Sequence, residues 1–290
     1  MKPPPFTYHR PADVAGAARL LAELGDGAKV LAGGQSLVPL MNFRLAAPDH
    51  LVDVNHLGLD DVGIDGGDVV VGAGVRHARL LRDPDVGAVH PLLAEAAGWI
   101  AHAVIRNRGT VCGSLAHADP AAELPAVLAL LGGSVEAVAW RDGRLASRRV
   151  TAADLFVGPF ETSLAADELL VAARFPRLGA GTGGAVAELA RRQGDYALAG
   201  VALTVTVDEG GEPVGGRAAY LSCAPTPVVL DLTPALAGAG DVHDLVAGAL
   251  DPTDDIHATG AYRRHLAATL TARAFPTALA RARETAGVPA

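Results

Sequence analysis

Val30-Leu31-Ala32-Gly33-Gly34-Gln35-Ser36-Leu37 reads as a short buried strand that runs into a turn almost bare of side chains, followed by two polar residues. Adjacent glycines reach positive φ at little cost and leave consecutive N–H groups open to a close visitor. Such a run forms a concave nest for an anion, a pyrophosphate among them. By itself, Gly-Gly between apolar runs reads more readily as an ordinary turn. A second stretch, Arg108-Gly109-Thr110-Val111-Cys112-Gly113-Ser114-Leu115-Ala116-His117-Ala118-Asp119-Pro120, is again rich in small residues. It leads into a helix predicted over 120–131, with Pro120 at its first position and Glu123 in its first turn. The two runs offer a pair of cradles between which a ligand with linked phosphates fits.

Outward from these runs, helical spacing of Val14, Ala17, Ala18, Leu21 and Leu24 predicts a helix over 11–24, stopped at Gly25. Strands are predicted over 29–32, 50–54 and 68–74, and a proline-led helix over 91–104. Arg141-Asp142-Gly143-Arg144 between 134–140 and 145–150 is a hairpin signal, and 169–175 reads as a strand. The Gly-rich stretch 176–184 reads as a domain boundary. Beyond it come predicted strands over 186–192, 199–207 and 217–223, then helices over 241–249 and from 258, the last kinked or divided by Pro276. The mixture is α+β: a larger N-terminal domain and a smaller C-terminal domain of sheet and helix.

At 290 residues, half of them apolar, the chain buries a substantial core and fits two domains. No apolar run reaches the roughly 18 residues of a membrane span. Met1-Lys2-Pro3-Pro4-Pro5 lacks the apolar centre of a signal peptide, so a cytoplasmic location is expected. The net charge of −8, with arginines scattered, argues against nucleic-acid binding. Two isolated cysteines, Cys112 and Cys223, hold neither zinc nor an iron–sulfur cluster, so such chemistry belongs to a partner.

Other candidates weigh less. Val71-Gly72-Ala73-Gly74-Val75-Arg76-His77 resembles the opening of a dinucleotide fingerprint, but His77 stands where the third glycine belongs. It reads better as a strand ending in a tight turn. His77, His90, His102 and His117 are too irregularly spaced for a helix-borne metal pair, and no metal site is expected. Cys112 as a nucleophile needs a paired His and a depressed pKa, and its apolar neighbours favour packing instead. Ser36 lacks the G-x-S-x-G elbow. No catalytic side chain is expected. In Arg191-Arg192-Gln193-Gly194-Asp195-Tyr196, the tyrosine is either a half-buried hairpin residue or an aromatic face for a flat heteroaromatic ring.

Taken together, the blocks resemble the FAD-binding medium subunit of molybdenum hydroxylases, the carbon monoxide dehydrogenase and xanthine dehydrogenase family. Ala32-Gly33-Gly34-Gln35-Ser36-Leu37 is similar to that family's first flavin segment, and 109–120 to its second. Gly158-Pro159-Phe160-Glu161-Thr162, Asp167-Glu168-Leu169-Leu170, 191–196, Ile256-His257-Ala258 and Tyr262-Arg263-Arg264-His265-Leu266 follow in the family's order. The resemblance spans essentially the whole chain. It implies an FAD-binding domain of vanillyl-alcohol-oxidase (PCMH) type over 1–177, in two subdomains divided near 57. A C-terminal domain of carbon monoxide dehydrogenase flavoprotein type follows over 184–286.

It also implies that Leu31, Ala32, Gly33, Gly34, Gln35, Ser36 and Leu37, with Thr110, Val111, Cys112, Gly113 and Ser114, embrace the pyrophosphate and ribityl chain of FAD. Ile100, Glu123 and Leu170 would lie near the cofactor, and Tyr196 by one face of the isoalloxazine. Cys112 replaces a usual glycine, so its Cβ is expected to narrow the cradle, with strain if its φ is positive. The implied partners are a large molybdenum-cofactor subunit and a small [2Fe–2S] subunit, paired as a dimer of heterotrimers. Electrons would leave to NAD+, a quinone or oxygen. Alternatives are a stand-alone flavin oxidoreductase acting on a small molecule, and a non-catalytic protein that binds a phosphate-bearing ligand.

Overall fold

A computed structural model of the chain describes residues 2–239 and 241–288. Its N-terminal part is a parallel three-stranded sheet: β1 (Thr7–His9), α1 (Val14–Leu24), β2 (Ala28–Leu31), α2 (Leu37–Asn42) and β3 (His50–Asp53), with strand order β1-β3-β2. α1 starts three residues later than the periodicity predicts. Asp13 sets that start by accepting a hydrogen bond from Gly16 N at 2.6 Å, an N-cap. Ala17, Ala18 and Leu21 of α1 are buried.

A second, antiparallel sheet follows, in strand order β4-β5-β10-β6-β7. It begins with β4 (Val62–Asp65) and β5 (Asp68–Gly72), after which helices α3 (His77–Arg82), α4 (Pro84–Val89), α5 (Pro91–Trp99), α6 (Ala103–Arg106), α7 (Val111–His117) and α8 (Glu123–Leu131) intervene. β6 (Ser134–Arg141), β7 (Arg144–Thr151) and β10 (Leu169–Pro176) complete it, and between β7 and β10 lie α9 (Ala152–Leu155) and a separate two-stranded ribbon of β8 (Phe156–Gly158) and β9 (Glu161–Thr162). The β6–β7 turn is the expected hairpin, with Asp142 (φ 50°) and Gly143 (φ 74°) both left-handed. The helix predicted over 91–104 is instead two helices, broken where Ala101 takes φ 41°. The Arg106 guanidinium donates to the carbonyls of Ile100 (2.6 Å) and Ala101 (2.7 Å) at that break. α8 begins at Glu123, not Pro120, which sits in the preceding turn.

The C-terminal part is a third sheet, β11 (Thr182–Leu189), β12 (Ala199–Val207), β13 (Pro213–Leu221) and β14 (Val228–Asp231), antiparallel in sequential order. α10 (Val242–Ala249) and α11 (Gly260–Ala286) follow it. β12 is buried along nearly its whole length, because both of its faces are covered. Val201, Leu203 and Val205 pack with α11, whereas Ala202 joins the main core of the second sheet and helices α3 to α8. β11 reads the same way: a Cβ on Gly183 would meet Ala278 O of α11 at 2.2 Å, and one on Gly184 would meet Leu92 of α5. α11 runs unbroken through Pro276, against expectation. Pro276 and Ala272 lie on the exposed face, so water can take the carbonyl that the proline leaves unbonded. The opposite face, with Ala267, Thr271, Ala274, Ala278 and Ala282, is buried. None of the described helices is long and apolar enough to cross a membrane.

Candidate functional site: a cradle between two backbone turns

Residues Leu31 through Leu37 connect the end of β2 to α2, and all of them are half-buried. Gly34 has φ 71°, a conformation that glycine adopts without penalty. Gly33 is needed for a different reason. A Cβ there would lie 2.3 Å from Arg108 O and 2.7 Å from Gly109 Cα. The first small-residue run is therefore pressed backbone to backbone against the second, far along the chain. Among the described residues, no acceptor is found for the N–H groups of Gly33, Gly34, Gln35 or Ser36. Four consecutive free donors beside a half-buried turn fit an anionic oxygen cluster.

The second run is a helix, not an open loop. Thr110 caps α7 by accepting from Gly113 N at 3.1 Å, and Val111 N donates to Val75 O at 3.1 Å. Thr110, Val111 and Cys112 are buried, while Gly113 and Ser114 are half-buried, and the Gly113 backbone lies beside Ala32. Cys112 corrects the expectation drawn from its replacing a glycine. It is right-handed helical and its Sγ turns into the core, 3.7 Å from Val71 O. It neither strains the backbone nor narrows the cradle, and burial pushes its thiol well above the ordinary range.

Ile100 and Leu170 are buried in the main core. Tyr196 is 71% exposed on the loop between β11 and β12. Although the residue as a whole is exposed, local desolvation around its phenol, then the nearby Asp119 and Glu123 carboxyls, raise the pKa of that group. Ser222 ties this loop to the turn before α8: its N–H donates to Pro120 O (2.8 Å) and its hydroxyl to Ala197 O (2.7 Å). Arg263 on α11, itself buried, donates to Leu198 O (2.5 Å), Ser222 O (3.1 Å) and Asp255 (2.6 Å). Gly194 comes so close to the His102 ring that a Cβ would sit 2.4 Å from it. Glu123, at the start of α8, is pushed up to about 8 by burial and by the charge of Glu188. Burial lifts Glu188 of β11 to about 7, and its Oε2 finds no partner among the described residues. At neutral pH Glu123 is therefore mostly protonated, while Glu188, close to its midpoint, still carries enough charge to act on it.

Residues 4–178 match the family described as the FAD binding domain in molybdopterin dehydrogenase, and 184–278 match the CO dehydrogenase flavoprotein C-terminal domain. The chain belongs to the FAD-binding medium subunits of the molybdenum hydroxylases. It is 41% identical to the 6-hydroxypseudooxynicotine dehydrogenase complex subunit alpha of Paenarthrobacter nicotinovorans, over 98% of each chain. It is 38% identical to the carbon monoxide dehydrogenase medium chain of Hydrogenophaga pseudoflava, over 97% of this chain and 99% of that one. Among solved structures, carbon monoxide dehydrogenase from the same organism superposes with a TM-score of 0.88 at 36% identity, covering 97% and 99%. Quinoline 2-oxidoreductase from Pseudomonas putida 86 gives 0.87 at 34%, covering 97% and 99%. FAD is thus the cofactor of this oxidoreductase subunit, and the two-domain α+β architecture is that of the family.

Several residues at the cradle carry no motif that sequence reasoning could isolate. Asn55 follows β3 and donates from Nδ2 to Ala32 O at 2.9 Å and to Asp53 Oδ1 at 2.6 Å. Tyr8 OH donates to the other Asp53 oxygen. Burial works against ionisation of Asp53, but the hydrogen bonds from Tyr8 and Asn55 outweigh it and hold the carboxyl below its usual range. Arg76, just before α3, donates to Asn55 Oδ1 at 2.6 Å and to Arg108 O. Arg76 lies in the segment that resembled a broken dinucleotide fingerprint. There Gly72 allows close approach of Leu59 O, and Val75 and His77 bond the backbone of Gly109 to Val111.

Proposed function

We propose that this chain is the electron-relay flavoprotein subunit between a small [2Fe–2S] subunit, itself served by a large molybdenum-cofactor subunit, and a final acceptor: NAD+, a quinone or oxygen. The observation that carries the cofactor placement is the set of free N–H groups from Gly33 to Ser36, pressed against Arg108 and Gly109. Those donors, with Gly113 and Ser114, hold the pyrophosphate and ribityl chain. Leu31, Ala32, Leu37, Thr110 and Val111 shape the cradle, Cys112 backs it from the core, and Ile100 and Leu170 form its apolar support. Tyr196 lies beside the ring, and Glu123 stays protonated near it, holding a proton without adding charge. Bound FAD supplies the exchange between single-electron carriers and a two-electron acceptor. On this reading 1–177, divided near 57, is the cofactor-holding unit, 184–286 closes over it, and the complex is a cytoplasmic dimer of heterotrimers.

Names of the similar proteins support the assembly: carbon monoxide dehydrogenase has a medium chain, and nicotine 6-hydroxylase of Paenarthrobacter nicotinovorans a medium subunit. Titration of the purified apo chain with FAD, ADP and inorganic phosphate tests the cofactor assignment, with intact FAD expected to bind tightest. Co-expression with large and small partner subunits should then give substrate-dependent flavin bleaching that the isolated chain lacks. A chain that remains colourless with excess FAD, or one that turns over a small molecule alone, overturns the reading.

A further inference from the structure

We propose that Asn55 and Arg76 are positioning residues that set the Gly33 amide and the Arg108 carbonyl in register for the FAD diphosphate. The proposal rests on the FAD placement above and deepens it. A trans peptide is planar, so its C=O and N–H point in opposite directions. Asn55 Nδ2 grips Ala32 O at 2.9 Å, and Ala32 O shares its peptide plane with Gly33 N–H. Holding that carbonyl from behind aims the Gly33 N–H forward and polarises it. Gln35 does the same for the next plane: its Nε2 holds Gly33 O at 3.2 Å, which orients the Gly34 N–H.

Arg76 completes the arrangement. One guanidinium nitrogen donates to Asn55 Oδ1 at 2.6 Å and the other to Arg108 O. Arg108 O is the atom that Gly33 approaches so closely that no Cβ fits between them. A single planar side chain therefore spans from the support of the first turn to the carbonyl at the contact with the second. Its own backbone is fixed there, because Arg76 bridges Thr110 while Val75 O and His77 N bond Val111 N and Gly109 O. Asp53 anchors the far end, accepting from both the Asn55 side chain and its N–H (2.6 and 2.8 Å) and from Tyr8. Lysine cannot reproduce the two-handed reach of the guanidinium. Aspartate at position 55 would turn an acceptor toward Ala32 O.

The test uses the full chain and its Asn55→Asp, Arg76→Lys and double variants, with FAD affinity read by quenching of flavin fluorescence and thermal unfolding followed on the apo chain. Each single variant should weaken FAD binding on the order of tenfold. The double variant should be no weaker than about the worse single, since both act through one chain of bonds. The apo unfolding midpoint of Arg76→Lys should stay within about 2 °C of the unsubstituted chain. Asn55→Asp, which sets a carboxylate against Asp53, should also unfold lower, so Arg76→Lys carries the comparison of affinity with stability. Unchanged affinity, additive losses, or weakening that only tracks a fall in apo stability would overturn the proposal while leaving the FAD placement standing. Failure of the unsubstituted chain to bind FAD would overturn both.

Discussion

Replacing Gly33 by alanine tests the central contact directly. The new Cβ would lie 2.3 Å from Arg108 O, 2.7 Å from Gly109 Cα and 2.8 Å from Arg108 C. All three are backbone atoms, so no rotamer change relieves the clash. Nonbonded carbon prefers about 3.5 Å or more, so the two runs must part by roughly 1 Å. Overpacking of that kind costs about 1–3 kcal/mol. The same separation displaces the free N–H groups from the Gly113–Ser114 wall, and loss of one or two charge-assisted bonds to a diphosphate is worth about 1.5–3 kcal/mol, tenfold or more in Kd. Gly34→Ala is the control. Its Cβ meets only the side-chain ends of Val38 (3.2 Å) and Leu31 (3.3 Å), and its cost is the left-handed backbone at φ 71°, about 1–2 kcal/mol. Thermal unfolding and FAD titration of both variants are the assays. Gly33→Ala should lose more FAD affinity than Gly34→Ala; a Gly33→Ala chain with native stability and affinity would refute the backbone-to-backbone cradle.

Cys112→Gly should leave FAD affinity within about twofold while destabilising the chain by about 2–3 kcal/mol, because glycine is introduced inside α7 and a buried thiol is lost. Tighter FAD binding by that variant would revive the idea that the Cβ obstructs the cradle. In the native chain Cys112 should also resist alkylation at pH 8, burial having raised its thiol. Glu123, raised to about 8, and Glu188, raised to about 7, bind protons in the folded chain that the unfolded chain releases above its ordinary carboxylate range. Their contribution to stability is present at acid pH and is lost as pH rises toward 8. Buried His77 and His90, held neutral, act in the opposite sense below about pH 6.5. The apo unfolding midpoint should therefore fall between about pH 6.5 and 8.5, and Glu123→Gln should flatten part of that fall; an identical slope would show that Glu123 is ionised in the fold.

Much of the local structure was legible because its causes are local. The Asp142-Gly143 turn, the strands around it and the apolar stripe of α1 follow from propensity and period alone. The structure departs from the sequence reading where particular hydrogen bonds or packing, rather than composition and period, decide. Gly98 is the one weak helix former near Ala101 and does not itself mark the break, which is held by Arg106 capping two carbonyls. Pro276 should interrupt α11, yet burial of the opposite face against β11 and β12 keeps the helix whole. The small residues from Gly109 to Ser114 read as a cradle ahead of a helix at 120, because the bond from Gly113 N to Thr110 that starts a helix within them does not show in composition.

The positions of the two bare-backbone runs, the isolated cysteines, the acidic balance and the order of the family's blocks are properties of the chain written out in a line. That Gly33 must be glycine because Arg108 O lies against it, and that Cys112 faces the core, are properties only of the folded molecule. So is the arc from Tyr8 through Asp53, Asn55 and Arg76 to Arg108. The physical reason is range. Backbone freedom and side-chain polarity act on near neighbours, whereas the direction of a peptide plane at the cradle is set by partners that only the meeting of two sheets brings within hydrogen-bonding distance.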